Sequence, residues 1–120
     1  MDVPVEFLIR GARRETADVV REFATRRLAH AVGRLRHGVR RLTVRLVDQN
    51  GPRGGVDSRC SITVARRDGG RIFVEATAAW PFAAITLAAG RLGEALRRDV
   101  ERRAQRRSAR QKEEDHDSIS

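Results

Sequence analysis

The sequence has no tyrosine, one cysteine, one lysine and few large rings, and each shortage narrows what the chain can be. A single Cys60 in 120 residues excludes an internal disulfide. No stretch approaches the roughly 18 uninterrupted apolar residues of a membrane-spanning helix. Residues 1–10 also lack the basic start and long apolar run of a secretory signal, so a cytoplasmic chain without a membrane partner is expected. Aromatics make up 4% of the residues, namely Phe7, Phe23, Phe73, Trp80 and Phe82, so Val, Ile, Leu and Ala must fill most of any core.

What is abundant is arginine. Lys and Arg number 25 against 16 Asp and Glu, a formal charge of +9 with a sequence pI near 11.5. Because Lys112 is the one lysine, almost all of this charge sits on guanidinium groups, which grip phosphate with paired hydrogen bonds. A polyanionic partner is the natural inference. An arginine-rich genome would explain the choice of Arg over Lys, but not the net excess.

Hydrophobic periodicity predicts the order β-α-β-β-β-α within one domain of residues 1–107. Val3, Val5, Phe7 and Ile9 alternate with Pro4, Glu6, Leu8 and Arg10, the period of a half-buried strand. After Gly11, Val20, Phe23, Ala24, Leu28, Ala31 and Leu35 recur at helical spacing, with Glu15, Thr16 and Asp18 suited to the entrance and an end expected near Arg36, before Gly38. Leu42, Val44 and Leu46 restore period two, the turn formers of residues 48–57 interrupt it, and Cys60, Ile62 and Val64 resume it. Asp68, Gly69 and Gly70 signal a hairpin into Ile72, Val74, Ala76 and Ala78.

Pro81 suits the first turn of a second helix, whose stripe of Phe82, Ile85, Ala89, Leu92, Leu96 and Val100 carries it to about Arg106. Gly90 and Gly93 weaken that helix by roughly 1 kcal/mol each relative to Ala, which close approach to the sheet or the first helix would offset; two surface glycines without that role are the alternative. Residues 108–120 lose the stripe and turn acidic at Glu113, Glu114, Asp115 and Asp117, so a disordered acidic tail is expected. The fold class is α+β: a four-stranded sheet with two helices packed on one face. The hairpin-connected strands are antiparallel, and the crossover through the first helix lets the first strand run parallel to the second if they are adjacent.

Little in the chain suggests catalysis, a cofactor or a small-molecule substrate. His30 and His37 are seven residues apart without an acid or cysteine at ligand spacing, and His116 is in the tail. Cys60 reads as a small core side chain. The glycines of residues 51–55 lack a P-loop ending and precede a strand, so no helix N-terminus cradles a phosphate there.

The arginines are better placed. Arg91, Arg98 and Arg102 fall within roughly 40° on the second helix, away from the apolar stripe. Arg26, Arg27 and Arg34, with His30 among them, form a ridge on the first. From Arg91 to Arg110 there are eight arginines against Glu94, Asp99 and Glu101, an excess beyond i+3 and i+4 pairing. Two ridges on adjacent helices would make a positive groove, and counterion release would favour a phosphate backbone in it. The candidate RNA-binding residues are Arg26, Arg27, Arg34, Arg91, Arg97, Arg98 and Arg102. The plainer reading is a solvated, charged helix face.

Three stretches, taken in order, resemble the hibernation-promoting factor and ribosome-associated inhibitor family of bacterial ribosomal subunit interface proteins. They are Val20, Arg21, Glu22 and Phe23 followed by Arg26, Arg27 and Leu28; the run from Asp48 through Gly51, Pro52 and Gly55 to Cys60; and Phe82, Ala83, Ala84 and Ile85. The resemblance spans about residues 3–106. It implies a fold akin to the double-stranded-RNA-binding domain, and docking on small-subunit rRNA in the channel that tRNA and mRNA would occupy. Translation would be blocked sterically while idle ribosomes are preserved, as under stress or in stationary phase, and off the ribosome the protein would be a monomer.

The chain departs from the family pattern at Trp80, where an acidic residue is usual before the aromatic of the second helix. A short form, without the second, dimerising domain of long members, is expected. Two further readings stay open: a general double-stranded-RNA-binding module, and an interaction protein whose sheet face, with Leu8, Val47 and Phe73, receives a protein partner.

Overall fold

The computed structural model describes residues 2–48 and 58–119. Its elements run β1 (Val5–Arg10), α1 (Arg14–Val32), a 3₁₀ segment (Gly33–Gly38), β2 (Val39–Asp48), β3 (Ser58–Arg66), β4 (Arg71–Ala78) and α2 (Pro81–Ile119). The four strands form one sheet in the order β1-β2-β3-β4. β1 lies parallel to β2 with Phe7 opposite Val44, as a crossover through α1 requires, and the two later pairings are antiparallel. The α+β order expected from the periodicity is the order observed.

One face of the sheet carries Leu42, Val44, Leu46, Cys60, Ile62 and Val64, all buried, and both helices pack on it. Val20, Ala24, Leu28 and Val32 descend from α1, and Ala84, Ile85, Ala88, Leu92 and Leu96 from α2. The fully buried Leu28, Leu42, Leu46, Ile62, Ile85 and Leu92 each contribute about 1.5–3 kcal/mol from apolar burial. Aliphatic side chains therefore build this core, as the shortage of rings demanded. Phe23 and Phe82 meet edge to face at its margin, with centroids 5.0 Å apart, and tie α1 to α2.

Two glycines hold sharp changes of direction. Gly11 has φ +84°, and a Cβ there would overlap the carbonyl oxygen of Asp48. At the hairpin, Gly69 has φ +96° and donates to the Arg66 carbonyl at 3.1 Å, while Arg66 N–H donates to Gly70 at 2.8 Å. Val64 lies opposite Ile72 across that hairpin.

Both helices end elsewhere than the sequence suggested. α1 stops at Val32, four residues before Arg36, because Gly33 takes φ +51° and its N–H caps the Ala29 carbonyl; the chain then tightens into the 3₁₀ segment. α2 runs through Ile119, past the end near Arg106 that the apolar stripe suggested. From Arg107 to Glu114 the residues are mostly strong helix formers, with neither Gly nor Pro to stop the helix. Along that extension every residue from Ala104 to Glu114 is exposed, and Val100, expected in the apolar stripe, is already exposed.

Candidate nucleic-acid interface

α1 and α2 lie side by side, and the groove between them is lined by Arg27, His30 and Ala31 on one wall and Thr86, Ala89, Gly90, Gly93 and Arg97 on the other. Among the described residues no acidic side chain lines it. Small residues make the floor. A Cβ on Gly93 would make ordinary contact with the Ala31 carbonyl at 3.6 Å, so this glycine marks the close approach of α2 to α1; a Cβ on Gly90 would meet nothing within 4 Å and would only fill open groove. The Arg27 guanidinium carbon sits 5.2 Å from the centre of the Phe23 ring, a cation–π contact that leaves its outer hydrogen-bond donors available.

The other sequence-selected arginines are distributed around this groove, not all inside it. Arg26 is exposed on α1, with Glu22 at 3.9 Å. Arg34, displaced from α1 into the 3₁₀ segment, lines two clefts beyond the end of the groove. Arg91, Arg98 and Arg102 do form one ridge, but on the opposite flank of α2, along the free edge of β4 with Arg71, Phe73 and Glu75. The expectation that the two helix ridges enclose a single groove is therefore corrected: about 100° of rotation per residue turns Arg97 toward α1 and Arg98 away from it. Within the ridge Arg98 has Glu94 at 3.8 Å, and Arg91 donates to the backbone carbonyl of Glu75. That bond satisfies a carbonyl on an edge strand that no other strand covers.

A network absent from the sequence reading holds α2 at this angle. Arg66, at the end of β3 and largely buried, pairs with Asp99 of α2 and with Asp68 of the hairpin at 3.3 Å; Arg103 pairs with Asp68 and, at 3.1 Å, with Asp99. Burial, then the neighbouring Arg103, lowers the Arg66 pKa. The Gly70 N–H, followed by Arg103 and Arg66, holds the Asp68 carboxyl below its ordinary value. Asp68 and Asp99 are 31 residues apart in sequence, so no spacing rule links them; the signal was only that an arginine ended an otherwise apolar inward face.

Among the described residues, no group of three His, Cys, Asp or Glu is placed to hold a metal, and no helix is long and apolar enough to cross a membrane. Cys60 is fully buried, and desolvation pushes its thiol up to about 12. Trp80 is exposed, and its backbone carbonyl accepts from Ala84 N–H at 3.0 Å in the first turn of α2. The glycine-rich residues 49–57 lie outside those described.

The model of the sigma 54 modulation protein / S30EA ribosomal protein family matches residues 8–104, which include the second half of β1, β2 to β4 and both walls of the groove. The chain belongs to this family. Among solved structures it is similar to a ribosomal subunit interface protein from Coxiella burnetii, with a TM-score of 0.67 at 14% identity over 82% of this chain and 99% of that one. It is also similar to the N-terminal domain of Protein Y from Thermus thermophilus, with a TM-score of 0.60 at 25% identity over 80% of this chain and 98% of that one. No curated protein sequence matches it. The family match ends at residue 104, where α2 leaves the body of the domain, so the projecting helix lies beyond the shared fold.

Proposed function

We propose that this protein is a ribosome-associated hibernation factor of the cytoplasm, which binds structured rRNA of the small subunit through its basic helices and blocks translation by occupying the channel for tRNA and mRNA. The observation that carries the reading is the groove between α1 and α2, where Arg27, His30 and Arg97 face one another with no acid among the described residues that line it. A phosphate backbone entering there meets donors from both walls and releases counterions, and the glycine floor lets it approach closely. The family, of S30EA ribosomal proteins, and the likeness to a ribosomal subunit interface protein both support a ribosomal role. The action is steric, without substrate or cofactor.

Sucrose-gradient sedimentation with purified small subunits tests this. The wild-type protein should travel with the subunits and inhibit a cell-free translation extract. Arg27→Ala/Arg97→Ala, folded by circular dichroism, should stay largely in the top fractions and lose inhibition. Equal co-sedimentation of the double variant would remove the groove from the interface.

A further inference from the structure

Among the described residues nothing covers the face of the sheet opposite the helices, and its residues follow from the strand register. Arg10, Arg41, Arg45, Arg59 and Arg71 project from it and are exposed, against the acids Glu6 and Glu75. Arg41 with Glu6 at 3.9 Å is the one ion pair between these residues among those described. Threonines and serine fill the centre: Thr43 lies opposite Thr63, and Arg45 opposite Ser61. On β4, opposite Thr63, stands Phe73, 62% exposed.

From this layout we propose that the outer sheet face is a second nucleic-acid site, which takes single-stranded RNA with an unpaired base stacked on Phe73 and its phosphates on the surrounding arginines. Arg71 is two residues from Phe73 on the same strand, about 7 Å away, and Arg45 and Arg59 stand on the two central strands, β2 and β3. An open, four-stranded face offers a broad surface without a deep groove, so it accepts splayed bases where a duplex needs a groove or ridge. Charge selects the occupant. A protein partner would want a contiguous apolar centre, but Leu8 and Val47 lie toward the β1 side. Phe73 lies three strands and two residues of register from Leu8, about 16 Å away, with arginine, serine and threonine between. Buried beneath a protein, those arginines would lose their water without a full set of acids to replace it.

This site is independent of the helix groove, so its test uses no ribosome: fluorescence anisotropy with a labelled 12-nucleotide oligouridine, and with an RNA duplex as comparison. Phe73→Ala should weaken oligouridine binding by roughly 5- to 100-fold while leaving the salt slope and duplex binding unchanged. Phe73→Tyr should retain it, and Phe73→Leu, apolar without a π-face, should behave like Ala. Arg45→Ala/Arg59→Ala should lower the salt slope by up to about 1.4. Arg27→Ala/Arg97→Ala should leave oligouridine binding intact, so the proposal stands even if that variant shows the groove to be silent on the ribosome. The proposal is overturned if Phe73→Ala and wild type bind oligouridine equally, if Leu substitutes fully for Phe, or if no oligouridine binds and Phe73 is instead needed to retain a protein.

Discussion

At the scale of single residues, the positions that matter most are those where a side chain, or its absence, fixes a path for the chain. Gly11 is the sharpest case. It combines a positive φ with a site where any Cβ would strike the Asp48 carbonyl, so Gly11→Ala should lower the thermal midpoint by several degrees, on the order of 2 kcal/mol, as β1 is pushed from the end of β2. Differential scanning calorimetry would show it, and an unchanged midpoint would mean that the β1–α1 connection yields freely. Gly90 is the counter-case. With open space where its Cβ would lie, Gly90→Ala should raise stability by up to about 1 kcal/mol from helix propensity, while narrowing the groove and weakening ribosome binding. Cys60 should react with a thiol reagent far more slowly in the native protein than after denaturation, since its thiol is both buried and held protonated well above neutral pH. Fast native labelling would place the wrong face of β3 inward.

Among elements, the ion network of Arg66, Asp68, Asp99 and Arg103 decides how α2 is carried. A depressed Asp68 pKa means that the folded state favours the carboxylate. Its stabilising contribution is therefore full above the ordinary carboxylate value near 3.8 and is lost as the pH falls through the lower folded value. Asp68→Asn should accordingly unfold at a lower temperature than wild type at pH 7, and the gap should close toward pH 3; a gap constant with pH would assign the loss to the hairpin geometry instead. The strands, the antiparallel pairing of β2 to β4 and the start of α2 were legible in the sequence because period two, the Asp68–Gly70 turn and Pro81 are local signals, whereas the place of β1 beside β2 was left open. The true end of α1 was less so: Gly33 was also local, but a helical apolar pattern continuing to Leu35 masked it. The continuation of α2 past Arg106 was hidden because loss of an apolar stripe removes the signal of packing, not the capacity for helix. The ion network and the flank on which each arginine falls depend on tertiary placement. The periodicity therefore found Arg91, Arg98 and Arg102 as one ridge, but not that it borders β4 while Arg97 turns toward Arg27.

For the whole molecule, a formal charge of +9 guarantees attraction to any polyanion, so affinity alone says little about which surface is used. The salt dependence says more. Each arginine that neutralises a phosphate adds up to about 0.9 to the slope of log affinity against log salt, whereas an arginine that merely faces water adds nothing. Two variant sets separate the flanks of α2: Arg27→Ala/Arg97→Ala removes the groove, and Arg91→Ala/Arg98→Ala/Arg102→Ala removes the ridge. Neither touches a fully buried side chain, so both should fold. If the groove carries the rRNA contact, the double variant should lower the slope for small-subunit binding by up to about 1.8. The ridge makes a separate test, because Arg98 already has Glu94 nearby and Arg91 is engaged with the β4 edge. A triple variant that lowers the slope by up to about 2.7 would require rRNA to wrap both sides of α2, with Arg91 released from Glu75 on binding. A triple variant that keeps the wild-type slope and inhibits a cell-free extract as strongly would reduce the ridge to a solvated edge that protects β4, and would leave α1 and the facing wall of α2 as the surface that meets the ribosome.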